Sequence, residues 1–207
     1  MSEIAIVFAA GRGGSPSRHA QLIERMEAAG FAVAAPDAPM LAGTMPTAEE
    51  LAGRAEALAV AIARIPEEAR IVGVGHSIGA SVLAAMAGAT MWLSPGRQAP
   101  IARAERLDRL VMLAPPTGFF MAPGALDGLR LPILLRSGGA DPITPPASHA
   151  AFVAALPDPS LADHATEPQA GHFSFMDSLP PGQQPAFAGE AGFRARLHEE
   201  IAAFAAG

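Results

Sequence analysis

Gly75-His76-Ser77-Ile78-Gly79 places a serine between two glycines, where the apolar run Ile71-Val72-Gly73-Val74 meets the small-residue run Ala80-Ser81-Val82-Leu83-Ala84-Ala85-Met86-Ala87. The pattern reads as a strand turning sharply into a helix, a nucleophile elbow. The serine of such a turn sits in a strained backbone at the strand tip, and side chains at the glycine positions would collide with the neighbouring strand and helix. In a chain with 21 glycines the pentapeptide owes its weight to this context.

Outward from the elbow, short aliphatic runs alternate with longer helical patterns, the arrangement of a parallel sheet covered on both faces. Strands are expected at Ile4 to Phe8, Phe31 to Ala35, Arg70 to Val74, Arg109 to Leu113, Leu131 to Arg136 and Leu161 to Glu167. Helices are expected at Pro16 to Ala29, Thr47 to Ile65, Gly79 to Met91, Pro145 to Leu156 and Glu190 to Ala205. Thr47 with Glu50 forms a capping-box pattern, and Gly30 a helix stop. The last strand is polar, as suits a sheet edge. The 20 prolines concentrate in the connections, several of them just after strands, the end at which open α/β sheets bind ligands.

Composition narrows the function classes. A chain of 207 residues, half apolar and 16% charged, fits one folded domain over residues 1–207. Without cysteine there is no disulfide framework and no thiol nucleophile, which fits a reducing compartment; a cytoplasmic location is expected. Met1-Ser2-Glu3 carries no positive region, so no signal peptide is read. A net charge of -6 without any lysine or basic cluster argues against nucleic-acid binding. Ile71 to Leu93 lacks formal charge and is long enough to cross a bilayer, but its histidine, serines, glycines and turn signature read as a buried strand, turn and helix, and no membrane association is expected. The chain has no His-Glu-x-x-His or paired-histidine spacing; neither a metal nor another cofactor is expected.

A serine hydroxyl needs a base to take its proton and a third group to orient that base. Asp141 follows a strand that runs into the glycine turn Ser137-Gly138-Gly139-Ala140; the same Asp-Pro pair also reads as ordinary turn chemistry. Asp127, Asp158 and Asp163 lack that approach. His172, in Ala170-Gly171-His172-Phe173-Ser174-Phe175, lies on a loop between the last strand and the last helix. His19, just beyond the first glycine loop, is its rival. His76 on an extended segment points away from Ser77, and His149, His164 and His198 fall within regular elements. Backbone amides of Ile78 and of Arg12, in Ala10-Gly11-Arg12-Gly13-Gly14, are the candidate oxyanion donors. Phe119, Phe120 and Met121, after a strand, are candidates for an acyl-pocket wall or for core cover.

With these residues in view the chain resembles the α/β-hydrolases, and among them the bacterial predicted dienelactone hydrolases and related esterases. The likeness runs over nearly the whole chain, through FAAGRGGS (Phe8 to Ser15), GFAVAAPD (Gly30 to Asp37), GHSIG (Gly75 to Gly79), GADPITPP (Gly139 to Pro146) and GHFSF (Gly171 to Phe175). It implies a minimal six-stranded, mainly parallel α/β-hydrolase sheet with helices on both faces and no large cap domain. It also implies Ser77 as nucleophile, Asp141 as acid and His172 as base. The family's substrate is not carried over; with no long insertion in the pattern and the apolar segment Pro115 to Leu129 after a strand, a small or medium carboxylic ester or thioester is expected. Two departures are visible: Ala10 precedes Gly11 where related proteins carry His-Gly, and the cysteine of true dienelactone hydrolases is missing. The chain begins at what resembles the third strand of the family sheet. Two other readings are a non-catalytic hydrolase-fold binding protein, suggested by the altered first loop, and a nucleotide-binding oxidoreductase, suggested by Gly11-Arg12-Gly13 with Asp37. The dinucleotide fingerprint fails at Pro16, where its third glycine should stand.

Overall fold

The computed structural model describes residues 4–207; the leader reading at residues 1–3 lies outside them. Among the described residues six strands form one sheet: β1 (Ile4–Ala9), β2 (Ala32–Ala34), β3 (Arg70–His76), β6 (Leu107–Leu113), β7 (Ile133–Gly138) and β8 (Ala162–Glu167), in the order β2-β1-β3-β6-β7-β8. Every neighbouring pair is parallel. A separate antiparallel hairpin joins β4 (Trp92–Ser94) to β5 (Arg97–Gln98). The helices are α1 (Ala20–Ala28), α2 (Ala48–Ala63), α3 (Ile78–Met86), α4 (Pro146–Ala154) and α5 (Glu190–Ala206).

Alternation along the central strands explains the layering, because successive side chains leave opposite faces of a strand. Val7, Ile71, Leu110, Met112, Ile133 and Leu135 pack with Leu51, Leu58 and Ile62 of α2, with Leu83 and Met86 of α3 and with Phe152 of α4. Ile6, Phe8, Val72, Val74, Val111 and Leu134 pack with Leu22 and Met26 of α1 and Phe193, Leu197 and Ile201 of α5. Each fully buried side chain of this size contributes about 1.5–3 kcal/mol. The Thr47–Glu50 capping box forms, starting α2 where the sequence indicates. β8 is the sheet edge that its polarity suggests.

One helix ends early. The pattern extends to Met91, but α3 stops at Met86, because Gly88 turns the chain at φ +119 and packs backbone to backbone against Gly128. The next residues form the β4–β5 hairpin instead, around Gly96 at φ +73. The Ile71 to Leu93 stretch is thus strand, helix and hairpin strand; among the described residues no helix is long and apolar enough to cross a membrane.

All six sheet strands point the same way, so the loops after β1, β3, β6, β7 and β8 open on one edge. The connection from β6 to β7 spans residues 114–132 and carries only a short 3-10 turn at Thr117–Phe120, so no large cap domain covers that edge.

Candidate active site

Ser77 joins β3 to α3 with φ 53° and ψ -131°, a conformation that costs about 1–3 kcal/mol for a non-glycine residue. Its N–H donates to the Leu113 carbonyl at 2.8 Å, tying the elbow to the end of β6. The flanking glycines explain how so sharp a turn fits. A Cβ on Gly79 would lie 2.2 Å from the Ala9 carbonyl oxygen, and one on Gly75 would lie 2.6 Å from the Ala80 backbone. Gly79→Ala therefore forces β1 and α3 apart; a stability loss of about 2–3 kcal/mol or more is expected in urea unfolding. Unchanged stability would contradict the packing.

Three side chains from three loops meet at this elbow. The His172 ring lies with Nε2 3.0 Å from Ser77 Oγ and Nδ1 2.8 Å from Asp141 Oδ2. The neutral tautomer that satisfies both contacts donates Nδ1–H to the carboxylate and leaves Nε2 to accept from the serine hydroxyl. Asp141 is held on its other sides: Oδ1 accepts from the Ile143 N–H at 2.7 Å and the Thr144 N–H at 2.9 Å, and Oδ2 accepts from Thr144 Oγ1 at 2.5 Å. Burial opposes ionisation of this carboxyl, but the hydrogen bond and charge of His172 and the bonds from Thr144 outweigh it, so its pKa lies below the ordinary aspartate value. The loops themselves are laced together. Gly139 N–H donates to the Glu167 carbonyl at 2.8 Å and Ala140 N–H to the Ala170 carbonyl at 2.9 Å, while Ser174 receives the Gly171 N–H and donates to buried Glu190 of α5.

Behind His172 stands a column of rings. Phe8, His19, His76 and His172 follow one another with centroid spacings of 4.8, 5.1 and 5.1 Å. His76 points away from Ser77 as its strand position requires, yet its Nε2–H donates to the His172 backbone carbonyl at 3.0 Å and so supports that residue from below. Burial pushes His19 down to about 3, and burial, with His19 and His172 beside it, holds His76 well below the ordinary value. His149, His164 and His198 are also lowered, each chiefly by burial.

His19, His76, His149, His164 and His198 therefore take up a proton less readily in the folded protein than in the unfolded chain, which protonates its histidines near pH 6.5. Between that value and their folded values the unfolded chain binds more protons, so stability falls as pH drops and is level above it. Each histidine contributes at most about 1.4 kcal/mol per pH unit. Urea unfolding at pH 7.5, 6 and 5 is expected to show this decline, with His19→Gln removing about one histidine's share. A slope unaffected by the substitution would contradict it.

The first glycine loop passes directly over the elbow: a Cβ on Gly11 would lie 3.3 Å from Ser77 Cβ. Ile78 is the first residue of α3, so its N–H has no acceptor within the helix. Among the described residues the Arg12 N–H also has no backbone acceptor. Both residues line a cavity of about 560 Å³ that reaches Ser77 and His172 and is walled by Met40, Leu41, Met45, Phe119, Ile143 and Met176. The size is that of a small-molecule pocket. Among the described residues no carboxylate lines it, and several of its wall residues reach solvent, Met40 at 72% exposure and Ile143 at 57%.

Of the three residues expected to wall an acyl pocket, Phe119 alone lines this cavity. Phe120 turns into the core and packs edge-on against Phe152 at 5.8 Å, and Met121 is 56% exposed outside the cavity. The tight turn at 117–120 sends consecutive side chains in different directions, which the apolar run by itself cannot reveal.

Two of the rival acids and three of the other histidines are engaged elsewhere. Asp158 caps the turn at Pro159–Leu161, and Asp163 pairs with Arg136 at 3.1 Å. His149 and His164 share Ser137 Oγ at 2.6 and 2.8 Å, and His198 lies 3.5 Å from Asp177. His19 lines the cavity but stacks behind His76. Thr144 was legible only as the third residue after Asp141, a spacing suited to side-chain-to-backbone turns. The wall residues Met40, Met45 and Ile143 carry no local signal at all.

The architecture is that of the α/β-hydrolases. A monoacylglycerol lipase from Paleococcus ferrophilus aligns with TM-score 0.65 at 17% identity, over 98% of this chain and 96% of the lipase. A pyrethroid hydrolase, PytH, aligns with TM-score 0.65 at 16% identity, over 100% of this chain and 98% of that one. An α/β serine hydrolase homologue from Coxiella burnetii aligns with TM-score 0.62 at 16% identity, over 98% of this chain and 84% of that one. No protein-family model and no curated protein matches the sequence.

Proposed function

We propose that the protein is a serine hydrolase acting on small or medium carboxylic esters or thioesters, with Ser77, His172 and Asp141 as its catalytic triad. The observation that carries this reading is the continuous 3.0 and 2.8 Å relay from Ser77 through His172 to Asp141 at the floor of an apolar cavity. Ser77 Oγ attacks the substrate carbonyl carbon as its proton passes to His172 Nε2, and the carbonyl oxygen becomes an oxyanion facing the Ile78 and Arg12 amides. Collapse of the intermediate breaks the carbon–oxygen or carbon–sulfur bond, and His172 returns the proton to the departing alcohol or thiol. Water then attacks the acyl-enzyme, giving its proton to His172, and release of the acid restores Ser77.

The lipase and pyrethroid hydrolase among the structural neighbours favour an ester substrate. The apolar wall suits a hydrocarbon acyl or alcohol group. The test is hydrolysis of p-nitrophenyl esters of increasing acyl length, together with labelling by a fluorophosphonate probe. Turnover and labelling at Ser77 are expected. A folded protein that neither turns over these esters nor takes the probe would instead favour a binding role for the cavity.

A further inference from the structure

Residues 10–14 read Ala-Gly-Arg-Gly-Gly, so the loop that carries one of the two oxyanion donors has three glycines and an alanine, and little side chain of its own to hold its shape. Its hold comes from below. Arg54 of α2 is buried, with 4% exposure, and among the described residues its guanidinium has no carboxylate within ion-pair distance. Glu50, one turn earlier, is occupied by the N–H groups of Ala42 and Thr47.

The guanidinium spends its hydrogen bonds on carbonyls instead. Nη1 donates to Ala10 O at 3.2 Å and Gly11 O at 2.9 Å, and Nη2 donates to Arg12 O at 2.9 Å and Pro39 O at 2.7 Å. Burying a cation without a counter-ion is costly, and an aliphatic residue would serve packing alone better at a position between Leu51 and Leu58 on the inner face of α2. What distinguishes arginine here is its planar fork, which can gather several fixed acceptors at once.

The three loop carbonyls are consecutive. In a planar trans peptide the N–H of each following residue points opposite to the carbonyl of the one before. With Ala10, Gly11 and Arg12 carbonyls turned toward α2, the N–H groups of Gly11, Arg12 and Gly13 are turned the other way, and all three residues line the cavity with Ser77. The loop's own backbone bonds, Gly14 N–H to Gly11 O at 3.0 Å and Leu41 N–H to Arg12 O at 3.1 Å, brace the same carbonyls from other directions but leave Ala10 to Arg54.

We infer that Arg54 is a positioning residue for catalysis: by collecting the carbonyls of Ala10, Gly11 and Arg12 on the α2 side, it keeps the Arg12 N–H aimed at the oxyanion that forms over Ser77. The inference rests on the serine-hydrolase reading. Arg54 touches neither substrate nor nucleophile, and acts only through the orientation of the peptide between Gly11 and Arg12.

The test compares the wild type with Arg54→Met, which keeps the apolar stem, and Arg54→Lys, which keeps the charge but not the fork. On a p-nitrophenyl ester, Arg54→Met is expected to lower kcat about 10²–10³-fold, the cost of one lost oxyanion donor, with KM changed by no more than about threefold. Affinity for a trifluoromethyl ketone, which forms a tetrahedral adduct with the serine, should fall in parallel with kcat/KM. Arg54→Lys should fall between the two, and serves alone if the methionine variant does not fold. A folded variant with kcat intact, or a loss carried by KM with ketone affinity unchanged, would overturn the role. Wild-type protein without Ser77-dependent hydrolysis would overturn the underlying hydrolase reading, and this role with it, which the Ser77→Ala control separates from a failure of Arg54 alone.

Discussion

Replacing Ser77 by alanine is expected to lower p-nitrophenyl ester hydrolysis by a factor of about 10⁴–10⁶, the scale on which a nucleophile's removal disables a triad that works as a unit. The protein should remain folded. Among the described residues Ser77 Oγ has one hydrogen-bond partner, His172 Nε2, so its removal orphans no other buried donor there. The strained backbone at φ 53° is as accessible to alanine as to serine. Fluorophosphonate labelling should vanish with activity while the thermal midpoint moves by only a few degrees. Labelling that persists in Ser77→Ala would place the nucleophile elsewhere and end the proposed mechanism.

Asp141→Asn should be almost as severe, about 10⁴-fold in kcat, and for a subtler reason. Oδ1 accepts the Ile143 and Thr144 N–H groups, so an asparagine must keep its carbonyl oxygen there to preserve the turn. Its NH₂ then occupies the place of Oδ2, against His172 Nδ1 and Thr144 Oγ1. A donor facing Nδ1 drives the ring proton to Nε2, which meets Ser77 with an N–H where a lone pair is needed. The turn survives, the geometry survives, and the base is lost. A variant with normal stability and near-normal kcat would show that Asp141 does not set the tautomer.

The parts of the molecule legible in the sequence were those coded locally. Ile71-Val72-Gly73-Val74 and Leu110-Val111-Met112 read as buried parallel strands because they are continuously apolar, and Gly75 and Gly79 mark the elbow because nothing larger fits. Asp141 and His172 stood out by following strands into glycine-bearing loops. What escaped depends on contacts between distant segments. Arg54 interrupts the apolar stripe Leu51, Ala55, Leu58 and Ile62 on α2, and that interruption was the available signal, but its acceptors Ala10, Gly11 and Arg12 lie over 40 residues earlier. The early end of α3 was set by the meeting of Gly88 with Gly128, invisible in either segment alone. The hairpin at Trp92–Gln98 had a local cue in Ser94-Pro95-Gly96, overshadowed by the alanine-rich run before it.

Because every strand of the main sheet runs in one direction, the proposed site lies at one end of the molecule and leaves the other end free of it. Segments 64–69, 103–106 and 130–132, which lead into strands, contribute none of the proposed triad and oxyanion residues and none of the residues lining the cavity. Charge reversals, short inserts or a surface tether placed there should alter how the protein is displayed, crowded or immobilised while leaving turnover to the opposite rim.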